Sequence, residues 1–173
     1  MILEEKTILL GVCGGIAAYK SAALARLFKK AGAQVHAVLT ESATELIGTA
    51  TFQAITGHHV HTKIFDSVPD SAMGHIELAK AADIIVIAPA TANTIAKLAY
   101  GIADNLLTSV CLASKAPILI CPAMNVNMWL NPATQENIKK LSKRKQFFFA
   151  GPAEGEQACG DEGAGRMAEP DEI

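Results

Sequence analysis

The sequence predicts an α/β protein whose mainly parallel sheet is doubly wound, with helices on both faces in a three-layer sandwich. Five short apolar runs recur, each nearly continuous rather than alternating with polar residues, as is typical of strands buried on both faces of a parallel sheet. Segments with the apolar spacing of helices lie between the runs, and this alternation favours right-handed βαβ crossovers. A length of 173 residues suits one domain with a single core.

Each predicted strand is one of these apolar runs, rich in β-branched residues, leucine or aromatic residues. In chain order they are Thr7–Val12, Gln34–Leu39, Asp83–Ala88, Pro117–Cys121 and Gln146–Ala150. Strands separated by helices in this way predict the open sheet of Rossmann-like and flavodoxin-like domains.

The predicted helices are bounded by residues with suitable capping properties. The first spans Ile16–Ala31 and ends at Gly32, a common residue after a helix C-terminus. The later helices are Asn93–Tyr100 before Gly101, Asp104–Ser114 capped by Asp104, and Thr134–Arg144 entered through Asn131 and Pro132. From Gly151 onward the periodicity is lost, so residues 151–173 are predicted to form a flap without regular elements.

Charge and composition narrow the function classes. The formal net charge of −2 argues against nucleic-acid binding through a basic surface. No apolar stretch reaches the ~20 residues that span a bilayer, and the acidic start differs from a signal peptide. We therefore expect a cytoplasmic protein without membrane contact. Cys13, Cys111 and Cys121 lie in apolar or glycine-rich surroundings and are expected to be buried. No Cys or His spacing typical of zinc sites occurs, so no metal is expected.

The first candidate site residues follow the first two strands, because doubly wound sheets bind ligands beyond the carboxyl ends of their strands. Gly14 and Gly15 leave backbone amides free to approach a phosphate at a helix N-terminus. Their spacing is neither GxGxxG nor a P-loop, and a tight strand–helix turn without a ligand is the alternative. Thr40 offers a hydroxyl suited to phosphate, whereas the adjacent Glu41 keeps a dinucleotide site open.

Two later strand ends carry amides. Thr91 and Asn93 can hydrogen-bond the edge of a flat ring or a phosphate, although Asn93 can also simply cap the next helix. Asn125 lies within Pro122–Trp129, where its amide can bind a carboxylate without adding charge. A plug of methionine and tryptophan with turn asparagines is the alternative for that segment.

Ala158–Met167 is the segment least suited to a core. It combines Cys159, two acidic residues, Arg166 and three glycines. Glycines permit unusual backbone angles, an arginine gives a bidentate hold on phosphate or carboxylate, and a thiol is a candidate for chemistry. This mixture predicts a segment that closes over a small ligand. His75, which opens a helix-like segment after the loop at residues 69–74, is a candidate base or anion ligand, or an ordinary surface histidine.

Taken together, these segments resemble the flavin-dependent cysteine decarboxylases, in particular those of coenzyme A biosynthesis. The resemblance spans nearly the whole chain and is carried by 14–20, His75, 88–93, 104–108, 122–129 and 158–167. The patterns Pro-x-Met-Asn-x-x-Met-Trp and Ala-Cys-Gly-Asp-x-Gly-x-Gly-Arg-Met are long and chemically unusual, which argues against chance matches.

The resemblance implies one FMN-binding decarboxylase domain over residues 1–173, with 151–173 as a substrate-covering flap and the start of a linker to a ligase domain. It implies catalytic roles for His75, Asn125 and Cys159, with Asn125 on the substrate carboxylate and Cys159 as a proton donor. It also implies substrate contacts from Asn125, Met128 and Arg166. The implied FMN-binding residues are Gly14, Gly15, Ile16, Thr40, Phe52, Ala90, Thr91, Ala92, Asn93 and Ala123.

The implied reaction is FMN-dependent decarboxylation of 4′-phospho-N-pantothenoylcysteine to 4′-phosphopantetheine, through thioaldehyde and enethiolate intermediates. The resemblance further implies a homotrimer with FMN and substrate at subunit interfaces, often assembled into a dodecamer in bacteria. Four alternatives stay open: a flavin prenyltransferase, a peptidyl-cysteine decarboxylase, a non-catalytic FMN-binding regulatory subunit and an NAD-binding domain. Asn125 argues against the first, Cys159 against the second, and the lack of a long acidic tail against the third.

Overall fold

The structure is a computed structural model that describes residues 2–64 and 74–173, so that most of the predicted loop before His75 lies outside it. A parallel five-stranded sheet forms its centre, in the order β2-β1-β3-β4-β5. The strands are β1 Thr7–Val12, β2 Gln34–Leu39, β3 Ile84–Ala90, β4 Ile118–Pro122 and β5 Phe147–Phe149. The predicted doubly wound parallel sheet is confirmed, and its strand order is that of flavodoxin-like domains.

Alternate strand residues pack into two apolar cores, one on each face of the sheet. One core joins Ile8, Leu10 and their neighbours to helices α1 (Ala18–Lys30) and α3 (Thr49–Thr56). The opposite core joins the other face to four helices: α4 (His75–Ala81), α5 (Ala92–Tyr100), α6 (Leu106–Ala113) and α8 (Pro132–Ser142). The side chains of Cys13, Cys111 and Cys121 are buried in these cores, as predicted.

The direction in which successive strands are added to the sheet reverses at β1, which lies between β2 and β3. Open sheets bind ligands at such a switch point, outside the carboxyl ends of the strands. The register between β3 and β4 shifts between Ile87 and Ala90, and Ala90 pairs with Pro122. Strand β3 therefore ends two residues beyond the predicted Ala88, next to the end of β4.

Four predicted helix starts are wrong, each for a local reason. Helix α1 begins at Ala18 rather than Ile16, because Gly15 N donates to Cys13 O and Ala18 N donates to Gly15 O in a turn that includes Ile16. Helix α5 is capped by Thr91 rather than Asn93, since Thr91 Oγ1 accepts from Thr94 N at 3.3 Å.

Helix α6 is capped by Asn105, whose Oδ1 accepts from Thr108 N at 2.9 Å. The predicted cap Asp104 instead binds Lys97 at 2.7 Å. Helix α8 begins at Pro132 with Asn131 as its cap, earlier than predicted. Three helices were not expected: α2 (Glu41–Thr44), α3 and α7 (Val126–Leu130). Helices α2 and α7 are too brief to show a periodic pattern.

The prediction that residues 151–173 lack regular elements is wrong, because strands β6 (Ala153–Glu156) and β7 (Glu162–Arg166) form an antiparallel hairpin. The hairpin sequence shows no alternation of apolar and polar residues, because several of its positions are glycines. Gly163 and Gly165 have φ values of 140° and 148°, which side-chain-bearing residues rarely adopt. Met124 N donates to Gly165 O at 2.9 Å, and Met167 is buried in the core, so the hairpin is tied to the end of β4.

The outer edge of β2 is covered by the segment after α3. Leu39 N donates to His61 O at 2.9 Å, and His61 N donates to Ala37 O at 3.0 Å, which makes a parallel bridge between Val38 and His61. In the described ranges, no helix has both the length and the apolar character that a bilayer-spanning segment needs. The predicted cytoplasmic location stays a prediction.

Candidate functional site

Two clefts open at the carboxyl ends of the strands. The strand-end cleft, of about 400 Å³, lies beyond β1, β2 and β3 and is lined by residues that include Gly14, Thr40, Thr91, Asn93 and Met128. The hairpin cleft, of about 540 Å³, lies between the end of β4, the start of α1 and the hairpin. Both clefts are where a doubly wound sheet is expected to bind its ligands.

The strand-end cleft is shaped by helix starts. Thr40 Oγ1 accepts from Ala43 N at 3.3 Å and Thr91 Oγ1 accepts from Thr94 N at the same distance, so both hydroxyls are helix caps. The first backbone amides of a helix have no partner within it. Those of Ala92 and Asn93 lie at the wall of the cleft, at the positive end of the nine-residue helix α5.

Gly14 sets the width of this cleft. A Cβ atom there would overlap Ser42 Cβ and lie 2.8 Å from the Ser42 carbonyl carbon. At Gly15 a Cβ would meet nothing closer than 3.8 Å, from Thr91 Cγ2. The backbone of the glycine turn therefore lies directly against α2, and only the first glycine is sterically required.

A buried polar pair lies beneath the cleft. Cys13 Sγ and Thr94 Oγ1 are 3.2 Å apart and both side chains are buried. Burial raises the pKa of the Cys13 thiol despite that hydrogen bond. The thiol is therefore neutral and acts as a packing and hydrogen-bonding group.

The charges at the rim of the cleft compensate each other. Lys97 Nζ lies 2.7 Å from Asp104 Oδ2, and the hydrogen bond from this lysine lowers the pKa of the Asp104 carboxyl. Hydroxyls, amides and small side chains make up most of the remaining lining, with Glu41 as the other acid. Among residues 2–64 and 74–173, no group of three or more His, Cys, Asp or Glu side chains could hold a metal ion.

This lining fits a phosphorylated flat cofactor such as FMN. Helix-start amides and threonine hydroxyls suit a phosphate. The glycine turn, where Gly14 packs too closely on Ser42 for any Cβ, offers a backbone surface. Met128, which is 50% exposed, offers an apolar face. A cofactor held there would lie between β1, β3 and α7.

Asn125 is the central polar group of the hairpin cleft. It caps α7, and its Oδ1 accepts from Asn127 N at 2.8 Å. This contact fixes the amide so that Nδ2 points away from the helix. Asn125 therefore presents a donor, as carboxylate binding requires.

Gln157 braces the hairpin on the end of β4. Its Oε1 accepts from Val126 N at 3.0 Å, and its Nε2 donates to Met124 O at 3.3 Å and to Ala164 O at 3.4 Å. One amide thus links both hairpin strands to the segment that contains Asn125.

Cys159 lies at the turn of the hairpin, exposed and close to Asn125. Asn125 Nδ2 is 3.5 Å from Cys159 Sγ and 2.7 Å from Asp161 Oδ2. The thiol donates to the same Asp161 oxygen at 3.4 Å. The structure therefore brings together two of the three predicted catalytic residues and adds a carboxylate between them.

A second carboxylate, that of Glu169, anchors the segment that follows the hairpin. Glu169 Oε1 lies 2.6 Å from Lys20 Nζ on α1 and 3.4 Å from Arg166 Nη2. The hydrogen bond from Lys20, with the positive charge of Arg166 in support, lowers the pKa of the Glu169 carboxyl. Lys20 and Arg166 both line the hairpin cleft, so one carboxylate ties two cations at its wall.

The other predicted site residues are distributed unevenly. Ala123 and Arg166 line the hairpin cleft. Ile16 is exposed, whereas Ala90 and Phe52 are completely buried in the cores and offer no surface in this chain. His75 is the first residue of α4 and lines neither cleft. The assigned roles of all these residues stay predictions.

Sequence reasoning missed Lys20, Gln157 and Glu169, and it left Asp161 without a role. Lys20 and Glu169 are 149 positions apart, so no local pattern connects them. Gln157 lies one residue before the Ala158–Met167 motif. Asp161 lies inside that motif, where an acid next to a thiol was the available signal.

The chain is similar to known proteins over nearly its whole length. The family model described as Flavoprotein matches residues 2–173. The coenzyme A biosynthesis bifunctional protein CoaBC of Vibrio vulnificus (strain YJ016) is 53% identical over 168 residues, which are 97% of this chain and 42% of that protein. The chain thus spans less than half the length of this curated relative.

Two solved structures are similar over nearly the whole chain. A PPC decarboxylase mutant complexed with pantothenoylaminoethenethiol has a TM-score of 0.83 and 33% identity, covering 97% of this chain and 93% of the other. The FMN-dependent cysteine decarboxylase SpaF has a TM-score of 0.80 and 30% identity, covering 95% of this chain and 91% of the other.

Proposed function

Since the chain belongs to the Flavoprotein family, we propose that it is the FMN-dependent decarboxylase part of a coenzyme A biosynthesis protein. Its substrate is 4′-phospho-N-pantothenoylcysteine, and its products are 4′-phosphopantetheine and CO₂. The similarity to a PPC decarboxylase and to an FMN-dependent cysteine decarboxylase supports this choice.

One observation carries the proposal: an outward-facing amide, Asn125 Nδ2, lies 3.5 Å from the exposed thiol of Cys159 at the wall of the hairpin cleft. An amide donor suits a carboxylate, and a thiol close by suits proton transfer to the carbon that loses CO₂. The strand-end cleft lies beyond β1–β3 and suits the cofactor.

The chemistry needs an electron sink, because loss of CO₂ leaves an electron pair on the cysteinyl α-carbon. FMN, which the lining of the strand-end cleft around Gly14, Thr40 and Thr91 would hold, would supply the two-electron oxidation of the substrate's CH₂–SH group to a thioaldehyde and the matching reduction at the end. The resulting thioaldehyde accepts the electron pair of the broken C–C bond and becomes an enethiolate. The protein contributes placement, proton transfer and exclusion of water.

Five residues divide this work. Asn125 holds the substrate carboxylate through Nδ2. Cys159 donates a proton to the enethiolate at the α-carbon, which restores a thioaldehyde that is then reduced to the thiol. His75 supports thiol oxidation and decarboxylation, and Arg166 helps to close the hairpin over the substrate. Met128 packs on cofactor or substrate between the clefts.

We further propose that the active unit is a homotrimer with shared sites. His75 lines neither cleft of its own chain, so a neighbouring subunit is the natural place for its action. Helices α4 and α6 expose Ile76 and Leu112, which are 44% and 62% exposed, and exposed apolar groups of this kind favour an interface. The name of the bifunctional relative supports a ligase domain in the full-length protein.

The test measures turnover and follows its two products separately. The purified chain, loaded with FMN, is mixed with phosphopantothenoylcysteine, and CO₂ and phosphopantetheine are measured together by mass spectrometry. We expect both in equal amounts. Asn125→Asp should reduce CO₂ release by roughly 10²–10³-fold, as expected when a donor is replaced by a repelling charge, while the visible flavin spectrum is retained.

Asn127→Asp is the matched control, since it adds the same charge two residues away and the side chain of Asn127 is exposed. It should retain activity within about twofold, as is usual for surface substitutions. An active Asn125→Asp enzyme would contradict the role of Asn125. Absence of CO₂ release by the unaltered, FMN-loaded protein would contradict the proposed function.

A further inference from the structure

Asp161 binds the amide nitrogen, Asn125 Nδ2, that the proposed function assigns to the substrate carboxylate. Its Oδ2 accepts from Asn125 Nδ2 at 2.7 Å, the shorter of the two contacts that this amide nitrogen makes. The other contact of this nitrogen is to Cys159 Sγ at 3.5 Å. Asn125 Nδ2 is therefore already engaged by two acceptors of the hairpin turn.

An incoming carboxylate cannot simply be added to this arrangement. Asn125 Oδ1 is held by Asn127 N, so the amide cannot turn to offer another donor. Two carboxylates within hydrogen-bond distance of one amide repel each other. One of them must leave, and Asp161 is exposed at the hairpin turn, so its carboxylate can turn into solvent without opening a core.

Asp161 and Cys159 are linked through the hairpin turn. Asp161 Oδ2 accepts from the Cys159 thiol at 3.4 Å. Gln157 N donates to Asp161 O at 2.8 Å, and Gly160 N donates to Gln157 O at 2.9 Å, so residues 157–161 form one closed turn. Displacement of the Asp161 carboxylate therefore removes one of the hydrogen bonds that hold the thiol beside Asn125.

We propose that Asp161 is a positioning residue that exchanges with the substrate carboxylate at Asn125 Nδ2. The inference rests on the proposed function. While the substrate carboxylate is present, Asp161 is displaced. Once the carboxylate has left as CO₂, the amide is free, Asp161 returns to it and brings the Cys159 thiol to the decarboxylated carbon. The order of the two half-reactions is thus set by competition between two carboxylates.

The exchange is tested with two unreactive ligands that differ only in the carboxylate. The cysteine of the substrate is replaced by alanine in one and by ethylamine in the other, so neither can be oxidised. Binding of both to the FMN-loaded protein is measured by calorimetry. Asp161→Ala should tighten the alanine ligand by about tenfold, the effect of one hydrogen bond to a charged group, and leave the ethylamine ligand within about twofold.

Asp161→Asn, which keeps the shape and loses the charge, should tighten the alanine ligand by an intermediate factor. Glu162→Gln is the matched control, since the side chain of Glu162 is exposed and has no hydrogen bond or ion pair with any described residue, while its backbone stays in the β6–β7 ladder. It should change neither ligand. An Asp161→Ala variant with an unchanged ratio of the two affinities, or with both ligands weakened equally, would assign Asp161 a structural role only and overturn the exchange.

A second measurement follows the products. Asp161→Ala should raise the fraction of released enethiol relative to phosphopantetheine, because the thiol is no longer brought back; an unchanged product ratio would contradict the proposal. The failure of the proposed function is distinguishable. In that case the unaltered protein releases no CO₂ from the true substrate, whereas failure of the exchange alone leaves CO₂ release intact and the affinity ratio insensitive to residue 161.

Discussion

The strand-end cleft and the hairpin cleft lie next to each other but are held together by different forces. The first is built from backbone: a glycine turn pressed against α2 and helix starts capped by Thr40 and Thr91. The second is held mainly by contacts that involve side chains, among them Asn125 with Asp161, Lys20 with Glu169, and Gln157 with backbone groups. Backbone geometry cannot be exchanged without refolding, whereas side-chain pairs can be replaced by a ligand. A permanently bound cofactor suits the first cleft and a substrate suits the second.

The largest expected effect comes from changing Gly14, which should alter the strand-end cleft but not the hairpin cleft. Gly14→Ala should lower FMN affinity by about a hundredfold or more, because the new Cβ would overlap Ser42, and overpacking against a fixed backbone costs roughly 1–3 kcal/mol or more. The measurement is the visible flavin absorbance after gel filtration. Gly48→Ala is the control, since nothing lies within 4 Å of a Cβ there. Equal flavin retention by the two variants would remove the contrast between the clefts.

The next effect concerns Cys159 and belongs only to the hairpin cleft. Cys159→Ser should release CO₂ yet slow formation of phosphopantetheine by roughly 10²-fold, in the range for loss of a positioned acid. An oxidised enethiol species should accumulate and be seen by mass spectrometry, with FMN still bound. Normal phosphopantetheine formation would show that another group donates the proton.

A smaller effect tests how firmly the hairpin is docked. Gly165→Ala places a Cβ against Met124 O and Gln157 Nε2, at a φ of 148° that alanine disfavours. We expect a KM about tenfold higher, a cost typical of lost docking contacts, and unchanged FMN affinity. Ala164→Ser, one residue away in the same strand, is the control. Loss of FMN with Gly165→Ala would mean that the clefts depend on each other.

The smallest expected effect is a pH dependence of the ion pair that anchors the segment after the hairpin. Because Lys20 lowers the pKa of Glu169 below its ordinary 4.5, the ion pair contributes fully above that value and is lost as the pH falls through the lowered pKa. Limited proteolysis of residues 157–161 should therefore accelerate only in that acidic range. Glu169→Gln should show the faster cleavage already at neutral pH and little further change. The same acceleration in both proteins would assign the acid sensitivity to another group.

The same contrast explains what the sequence could predict. Strands β1 and β2 were located to the residue because continuous apolar runs leave little choice of boundary. The glycine turn, Thr91 and Asn125 were found because they directly follow strands. These features could be predicted from the local sequence and from the general rule that ligands bind beyond the carboxyl ends of parallel strands.

The hairpin contacts were not predictable in this way. Strands β6 and β7 pair through glycine backbone with positive φ, and the pattern of apolar residues carries no trace of that. The pairing of Lys20 with Glu169 depends on how the chain returns across α1. The cap of α6 was misassigned to Asp104 because Lys97, seven residues earlier, competes for its carboxylate. The first two outcomes depend on how strands and helices pack in space, whereas the cap of α6 depends on a local ion pair.

The bridge from His61 to β2 has a consequence for the whole molecule. An uncovered edge strand is a template for adding a strand from another chain, and this bridge occupies part of one such edge. At the other side, the edge strand β5 is only three residues long and is soon followed by Pro152, which has no amide hydrogen to donate. Growth of the sheet from molecule to molecule is therefore disfavoured on both sides, and association between copies is left to the side chains on the helices.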